Sequence, residues 1–181
     1  MKSILPLREQ LRQLGPLREE AWRQIEAQAV QRDYAADRPI ALPSAGVIYV
    51  EEGLLKQYQR SKRIKPCINR FIVTGNYIFT PFAPDSIYIK TILACKLWYW
   101  EGEAVCTLLL QYPELYALYQ QLRDRYDALL DIRMRILESK HTQKLALFQE
   151  HFQEIRPYLR AKDVANYIGV HPNYFSKLYR T

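Results

Sequence analysis

The 181-residue chain has little of what marks several special classes of protein. Its 3 cysteines, Cys67, Cys95 and Cys106, are an odd number and lie far apart, which argues against a disulfide framework and against close-spaced zinc ligands. Its 6 glycines and 10 prolines are too few for a collagen-like or low-complexity chain. No apolar run approaches the roughly 20 residues that span a bilayer, and Met1–Arg8 lacks the apolar stretch of a signal peptide. We therefore expect a soluble, cytoplasmic protein with no membrane contact.

The chain has enough apolar residues to build a core, and its charge is concentrated near its carboxyl end. Hydrophobic residues make up 49% of the sequence and charged residues 25%. The net charge is +7, from 26 basic and 19 acidic residues. Residues 156–181 hold five basic residues and one acidic residue, so +4 of this +7 lies there. A polyanionic partner is expected to bind this segment first.

Periodicity divides the chain into helical and strand-forming zones. Leucines spaced three and four residues apart predict helix within residues 3–32. Short β-branched and aromatic runs between turn residues predict a compact β sandwich, barrel or roll over residues 40–101. The predicted strands are Val47–Glu51, Leu54–Arg60, Cys67–Val73, Tyr77–Phe79, Ile87–Leu93 and Leu97–Trp100. Helical spacing returns after Pro113 and continues in short pieces to the end, so the whole pattern predicts an α+β fold.

A heptad of apolar residues runs through residues 113–138. A heptad has two apolar positions. The first holds Leu115, Leu122, Leu129 and Ile136, and the second holds Leu118 and Ile132. Such a repeat is typical of a long helix that pairs with a second helix, so aspartate at Leu122 and Leu129 should separate a dimer into monomers. In a second interpretation the same stripe packs against the chain's own β domain. Both can hold, because a wide stripe can serve two partners.

The segment Ala161–Arg180 has the pattern of a helix-turn-helix. Ala165 supplies a small residue where two helices cross, and Gly169 supplies the positive φ of a tight turn. Pro172 can begin the second helix. The apolar residues at the expected internal positions are Val164, Ile168, Val170, Phe175 and Leu178. In this motif the second helix enters the major groove of DNA; an ordinary helical hairpin with a glycine turn is the alternative.

The outward face of the second helix carries the side chains expected to contact DNA. These candidate DNA-binding residues are His171, Asn173, Tyr174, Ser176, Lys177 and Arg180. Asn173 lies near the helix start, where an amide can pair with adenine, and Lys177, one turn later, can reach guanine or a phosphate. Arg160 and Lys162, at the start of the first helix, are expected to contact backbone phosphates.

A β-rich domain, a long helix and a C-terminal helix-turn-helix, in this order, resemble the Crp/Fnr-type transcription regulators. The resemblance is carried by Tyr49–Lys56, similar to the family's strand–glycine–strand hairpin, and by Ala165–Gly169, similar to the helix-turn-helix of a divergent branch common in Bacteroidetes. It implies a cyclic-nucleotide-binding-like β-roll sensor domain at 1–112, a dimerisation helix at 113–140 and a helix-turn-helix DNA-binding domain at 141–181. It also implies a homodimer that binds double-stranded DNA, with RNA polymerase and an unknown small-molecule effector as further partners.

The sequence departs from the family where cyclic AMP is held. Members that respond to cyclic AMP use a Gly-Glu pair for the ribose and an Arg followed by Ser or Thr for the phosphate. Residues 75–92 contain neither a Gly-Glu pair nor an arginine, and Asp85 and Ser86 occupy the place of the Arg-Ser pair. Lys90 is a poor substitute for a bidentate guanidinium. We therefore expect no response to cyclic AMP and no cofactor.

The reading helix departs from the family as well. Where the family has Arg-Glu and a later Arg, this chain has Pro172, Asn173 and Lys177, so the family's usual operator is not expected. The family often adds a winged hairpin after this helix. Either that wing is absent here, or the natural protein extends beyond Thr181.

Two other functional classes compete with a DNA-binding regulator. A small-molecule sensor or protein-interaction module with a vestigial helix-turn-helix is the first, and salt-dependent binding to duplex DNA separates it from a regulator. An enzyme is not expected, because the sequence has no catalytic motif, phosphate loop or zinc signature. A metal site is not expected either, since His141 and His151 do not have ligand spacing and the cysteines are not clustered as in an iron–sulfur sensor.

Overall fold

The computed structural model describes residues 5–59, 66–83, 87–171 and 175. Its helices are α1 (Leu5–Leu14), α2 (Glu19–Ala27), α3 (Gly102–Gln111), α4 (Glu114–Glu138), α5 (Lys144–Phe152) and α6 (Ala161–Tyr167). Its strands are β1 (Val30–Tyr34), β2 (Val47–Glu52), β3 (Leu54–Gln59), β4 (Cys67–Val73), β5 (Tyr77–Phe79), β6 (Ile87–Thr91) and β7 (Cys95–Trp100). The predicted α+β class is confirmed. Within the described ranges, no helix is both long enough and apolar enough to span a membrane.

The strands form two antiparallel sheets. Sheet A has the order β1-β7-β2-β5 and sheet B the order β4-β3-β6. β2 and β3 follow each other around Gly53 but belong to different sheets, so the predicted strand–glycine–strand segment is a corner between sheets and not a hairpin of paired strands. Gly53 has φ +124°, and a Cβ there would lie 2.4 Å from Cys95 Sγ, so the corner requires glycine.

Alternating side chains along each strand enter different cores, because successive residues point to opposite faces of a sheet. In β2, Ile48 and Val50 lie in the core that contains side chains of both sheets. Val47 and Tyr49 lie instead in the core on the outer face of sheet A. Both faces are buried over the first four residues of the strand, which explains why Val47–Val50 are apolar at every position rather than at alternate ones.

The outer face of sheet A is covered by the amino-terminal helices and by α3 and the first half of α4. This core joins Leu7 and Leu11 of α1 to Trp100 of β7 and Leu118 of α4. The indole Nε1 of Trp100 donates a hydrogen bond to the Ile25 carbonyl oxygen at 2.8 Å, which ties α2 to the same face.

The outer face of sheet B is covered by α5 and α6. Phe71 of β4 lies at the centre of an aromatic group, with its ring centroid 6.1 Å from Phe148, 5.8 Å from Phe152 and 4.9 Å from Tyr167. Residues from the predicted C-terminal zone thus share one core with the β roll. The roll is packed between two helical layers.

The heptad of α4 packs mainly within the chain. Leu115, Leu118 and Leu122 lie in the core outside sheet A, and Ile136 lies in the core outside sheet B. The interpretation that this stripe packs against the chain's own β domain therefore holds for these residues. Leu122 is only 7% exposed, so aspartate there would disrupt the chain's own core and does not test for a dimer.

Two elements differ from the sequence prediction. β1 includes residues assigned to the amino-terminal helical zone, because they form an edge strand on β7, with Val30 opposite Tyr99. α3 was not predicted as a helix. Its sequence is apolar around most of its circumference, so the spacing of its apolar residues does not reveal a helical period.

Candidate nucleic-acid interface

The helix α6 ends in a defined turn at the predicted glycine. The Val170 N–H donates to the Ala165 carbonyl oxygen at 3.0 Å, and the Gly169 N–H donates to that of Asn166 at 3.3 Å. Gly169 has φ +68°. These two bonds and the left-handed glycine form a Schellman motif, which satisfies the last carbonyl groups of the helix. The positive φ predicted at Gly169 is confirmed.

Beyond this turn, one helical hydrogen bond is described. The Phe175 N–H donates to the His171 carbonyl oxygen at 3.0 Å, the spacing of an α-helix. Phe175 is 1% exposed and packs in the same core as Val164 and Ile168. His171 is exposed. The other predicted reading-helix residues lie outside the described residues: Asn173, Tyr174, Ser176, Lys177 and Arg180.

The two predicted phosphate contacts lie at the exposed start of α6. Arg160 precedes the helix in an extended conformation, and Lys162 lies in its first turn. The start of α6 is close to an acidic residue of the roll. The ion pair with Lys90 (Nζ to Oδ1, 2.8 Å) lowers the pKa of Asp37, and the positive charge of Arg160 lowers it further.

A buried ion pair joins α6 to sheet B, and the sequence analysis did not predict it. Lys56 of β3 donates through Nζ to Asp163 Oδ2 at 2.7 Å, and the two side chains are 7% and 9% exposed. Burial by itself lowers the pKa of Lys56, but its hydrogen bond to Asp163 raises it, and the net shift is upward. The one signal in the sequence was that Asp163 is the single acidic residue in the basic segment 156–181.

Asn166, one turn along the same face of α6, binds the backbone where β4 begins. Its Oδ1 accepts a hydrogen bond from the Ile68 N–H at 2.6 Å, and its Nδ2 donates to the Pro66 carbonyl oxygen at 3.2 Å. Asp163 and Asn166 together fix both the position and the rotation of α6 on the roll. The outward face of the helix is thereby defined.

The second half of α4 is also fixed to sheet B by polar contacts. The Arg70 guanidinium lies 3.9 Å from the centroid of the Tyr126 ring, and it donates to the Tyr126 carbonyl oxygen and to Asp127 Oδ1, both at 3.2 Å. The Tyr126 hydroxyl donates to Gln57 Oε1 at 2.7 Å. Burial lowers the pKa of Arg70. The guanidinium of Arg70 is therefore used to hold α4 on β4.

Of the residues compared with the cyclic-AMP site, Ile78 and Ile89 point into the apolar core between the two sheets. Ile48, Leu55 and Ile89 have no exposed surface in the core between the sheets. Lys90 is paired with Asp37, and Asp85 and Ser86 lie outside the described residues. Across the part of the chain that the structure describes, no group of histidine, cysteine, aspartate or glutamate residues is arranged to hold a metal ion.

No family model and no curated protein matches the sequence. Solved structures do match. A transcriptional regulator of the Crp/Fnr family from Eubacterium rectale is 13% identical, with a TM-score of 0.72 over 91% of this chain and 82% of that one. FixK2 from Bradyrhizobium japonicum is 13% identical, with a TM-score of 0.69 over 84% and 83%. CLP, a c-di-GMP-responsive global regulator from Xanthomonas campestris, is 14% identical, with a TM-score of 0.66 over 90% of each chain. The resemblance is confirmed at the level of the fold: the chain is built like the Crp/Fnr regulators.

Proposed function

We propose that the chain is a DNA-binding transcription regulator of Crp/Fnr type that acts in the cytoplasm as a homodimer. The observation that carries this proposal is the Schellman turn at Gly169, followed by the helical bond from Phe175 to His171. A short helix, a glycine in the left-handed conformation and the beginning of a second helix are the parts of a helix-turn-helix. We propose the three regions that the sequence analysis predicts: a β roll at 1–112, a dimerisation helix at 113–140 and a DNA-binding unit at 141–181.

The proposed roles separate phosphate contacts from base contacts. Arg160 and Lys162 are exposed at the start of α6, where this motif meets the DNA backbone. Asn173 reads adenine, and Lys177 reads guanine or contacts a phosphate. His171, Tyr174, Ser176 and Arg180 complete the backbone contacts. The promoter-bound regulator would then meet RNA polymerase.

Salt-dependent DNA binding tests this function. Fluorescence anisotropy of a duplex selected for binding should give an affinity that falls linearly with salt on logarithmic axes. Arg160→Gln and Lys162→Gln should each lower that slope by about one. Arg23→Gln is the matched charge control, because Arg23 is an exposed residue of α2 on the opposite side of the roll. A wild-type chain without such binding would favour the alternative of a sensor or interaction module.

Recognition of individual base pairs by the second helix is tested on the same duplex. A symmetric dimer should protect two half-sites about one helical turn apart, or a multiple of it. Asn173→Ala should cost about 1–3 kcal/mol and relax the preference at one base pair, whereas Arg180→Ala should weaken all sequences alike. If Asn173→Ala leaves every base preference unchanged in a footprint, the second helix does not read the sequence as proposed.

The dimer is proposed to form through the outward face of α4, since the core-facing heptad is already packed. Residues on this face follow alternating spacings of four and three: Tyr116, Gln120, Arg123, Asp127, Leu130 and Met134. Tyr116 is 58% exposed and Met134 is 48% exposed, so this face presents a large apolar side chain to solvent near each of its ends.

Analytical ultracentrifugation tests this face without disturbing the core. Met134→Glu should yield monomers, because it places two like charges opposite each other across a two-fold axis. Ala128→Glu, an exposed position on another side of α4, is the matched control and should leave the dimer intact. An unchanged dimer in Met134→Glu would place the interface elsewhere.

Cyclic AMP is not proposed as the effector. The buried apolar side chains between the sheets and the pairing of Lys90 with Asp37 support this. Calorimetry should show no saturable heat when cyclic AMP is added at physiological concentrations. A micromolar dissociation constant would contradict the assignment.

A further inference from the structure

A cavity of about 90 Å³ lies on the outer face of sheet A, away from the core between the two sheets. Each layer around it contributes a wall: Leu11 from α1, Trp100 from β7, Leu108 from α3 and Leu118 from α4. Its lining is buried except at Leu109 and Tyr119, which are half-buried. These two residues mark the side on which the cavity approaches the surface.

The walls present carbon atoms and almost no polar surface. The two aromatic residues of the wall that carry buried polar atoms use them elsewhere. The Tyr77 hydroxyl is hydrogen-bonded to Gln10 Oε1 at 3.0 Å, and the Trp100 Nε1 donates to the Ile25 carbonyl oxygen at 2.8 Å. Among the described residues that line the cavity, none is charged. A buried water needs two to four polar partners, so these walls favour an occupant that forms no hydrogen bonds.

We propose that this cavity binds a small, uncharged, apolar molecule. An engineered apolar cavity of about 150 Å³ in another protein takes up benzene or xenon. In proportion to that volume, a cavity of about 90 Å³ accepts xenon or a ligand of about four non-hydrogen atoms. A charged ligand is excluded because no wall residue can compensate the loss of its hydration.

The site is joined to the proposed regulator through α4. Leu115, Leu118 and Leu122 of that helix line the cavity. A ligand there gains contacts only in the folded arrangement of α1, α3 and α4, so it stabilises the packing of α4 on the roll. The binding step itself does not require DNA, and it is measured without DNA, so its outcome is independent of the proposed function.

The test is a titration of the full chain with xenon, followed by the methyl NMR signals of its leucines and by the midpoint of thermal unfolding. Xenon should shift the signals of the wall leucines saturably and raise the midpoint, and the caesium ion, which has the same number of electrons but a unit charge, should do neither. Leu109→Phe places a larger side chain at the half-buried side of the cavity and should weaken xenon binding roughly tenfold or more.

Leu110→Phe is the matched control, because Leu110 is 84% exposed on the same helix and does not line the cavity. It should bind xenon like the wild type. Absence of a saturable shift in the wild-type chain, or equal binding by the wild type and Leu109→Phe, would overturn the proposal. It would also be overturned if only a chain that lacks residues 2–4 bound xenon, since the full chain would then not take up the proposed ligand. The wild-type titration decides the question even if Leu109→Phe does not fold.

Discussion

Replacing Lys56 by methionine removes one charge from an ion pair that lies almost entirely out of solvent. Methionine keeps most of the unbranched side chain, so the packing beside Tyr58 is largely retained. The Asp163 carboxylate, 9% exposed, is left without its partner 2.7 Å away. Asp163→Asn makes the converse change with little change in shape.

The expected loss is large because a buried charge without a partner is costly. Removing one member of a buried ion pair typically destabilises a protein by about 3–5 kcal/mol. The ammonium of Lys56 also lies 5.7 Å from the centroid of the Tyr58 ring, a contact worth about 0.5–1 kcal/mol. A total of about 3.5–6 kcal/mol is a large part of the roughly 5–15 kcal/mol that stabilises a typical domain. The double change Lys56→Met with Asp163→Asn should cost much less than the sum of the single changes, because neither partner is then left as an unpaired buried charge.

Urea unfolding followed by tryptophan fluorescence measures these free energies. Arg23→Gln is the control, since Arg23 forms an ion pair with Glu19 at 3.6 Å but is 74% exposed, and it should change stability little. Losses below about 1 kcal/mol for both Lys56→Met and Asp163→Asn would refute the reasoning. So would a double variant whose loss equals the sum of the two single losses.

The same pair predicts a dependence on pH. The pKa of Lys56 is raised in the folded chain, so its contribution is complete below the ordinary lysine value of 10.5 and is lost as the pH rises through the folded value. The stability difference between the wild type and Lys56→Met should therefore be full at pH 7 and shrink in strongly alkaline buffer. A difference that grows there would contradict the assigned direction of the shift.

Three further outcomes follow from single residues. Burial raises the pKa of the Cys95 thiol to about 11, so a thiol reagent at pH 8 should modify exposed Cys106 in the native chain and Cys95 only after unfolding. Burial raises the pKa of Tyr77 above 10.0; Tyr77→Phe should cost about 0.5–1.5 kcal/mol at neutral pH and lose less stability than the wild type above pH 10. Gly169→Ala should lower stability by at least about 1–2 kcal/mol in thermal unfolding, since its Cβ would lie 2.7 Å from Leu137 Cδ2 at φ +68°.

The sequence predicted the elements whose periods are simple. β4 and β5 have the predicted bounds, Cys67–Val73 and Tyr77–Phe79, because turn residues flank compact apolar runs. The helix predicted over 113–138 is α4, and Gly169 has the predicted left-handed conformation. In each case a local pattern determines a local structure.

The sequence could not show which partner each apolar face meets. The heptad through Leu122 indicates that a face of α4 is buried, but coiled-coil pairing and packing on the chain's own roll require similar spacing. The contact from Lys56 to Asp163 joins residues 107 positions apart, and no local pattern encodes it. The sequence analysis included Asn166 in the segment that resembles a helix-turn-helix, but it did not predict the contact of its side chain. That contact depends on the backbone of β4, which lies beside it only in the folded chain.

The position of α6 has a consequence for the solubility of the protein. β4 is an edge strand of sheet B, and such edges offer unpaired backbone groups to strands of other molecules. The Asn166 amide occupies the Ile68 N–H and the Pro66 carbonyl oxygen much as a neighbouring strand would. Any change that lifts α6 from the roll therefore exposes a strand edge together with the aromatic surface around Phe71. We therefore expect undocking of α6 to make the β4 edge available for pairing with a strand of another molecule.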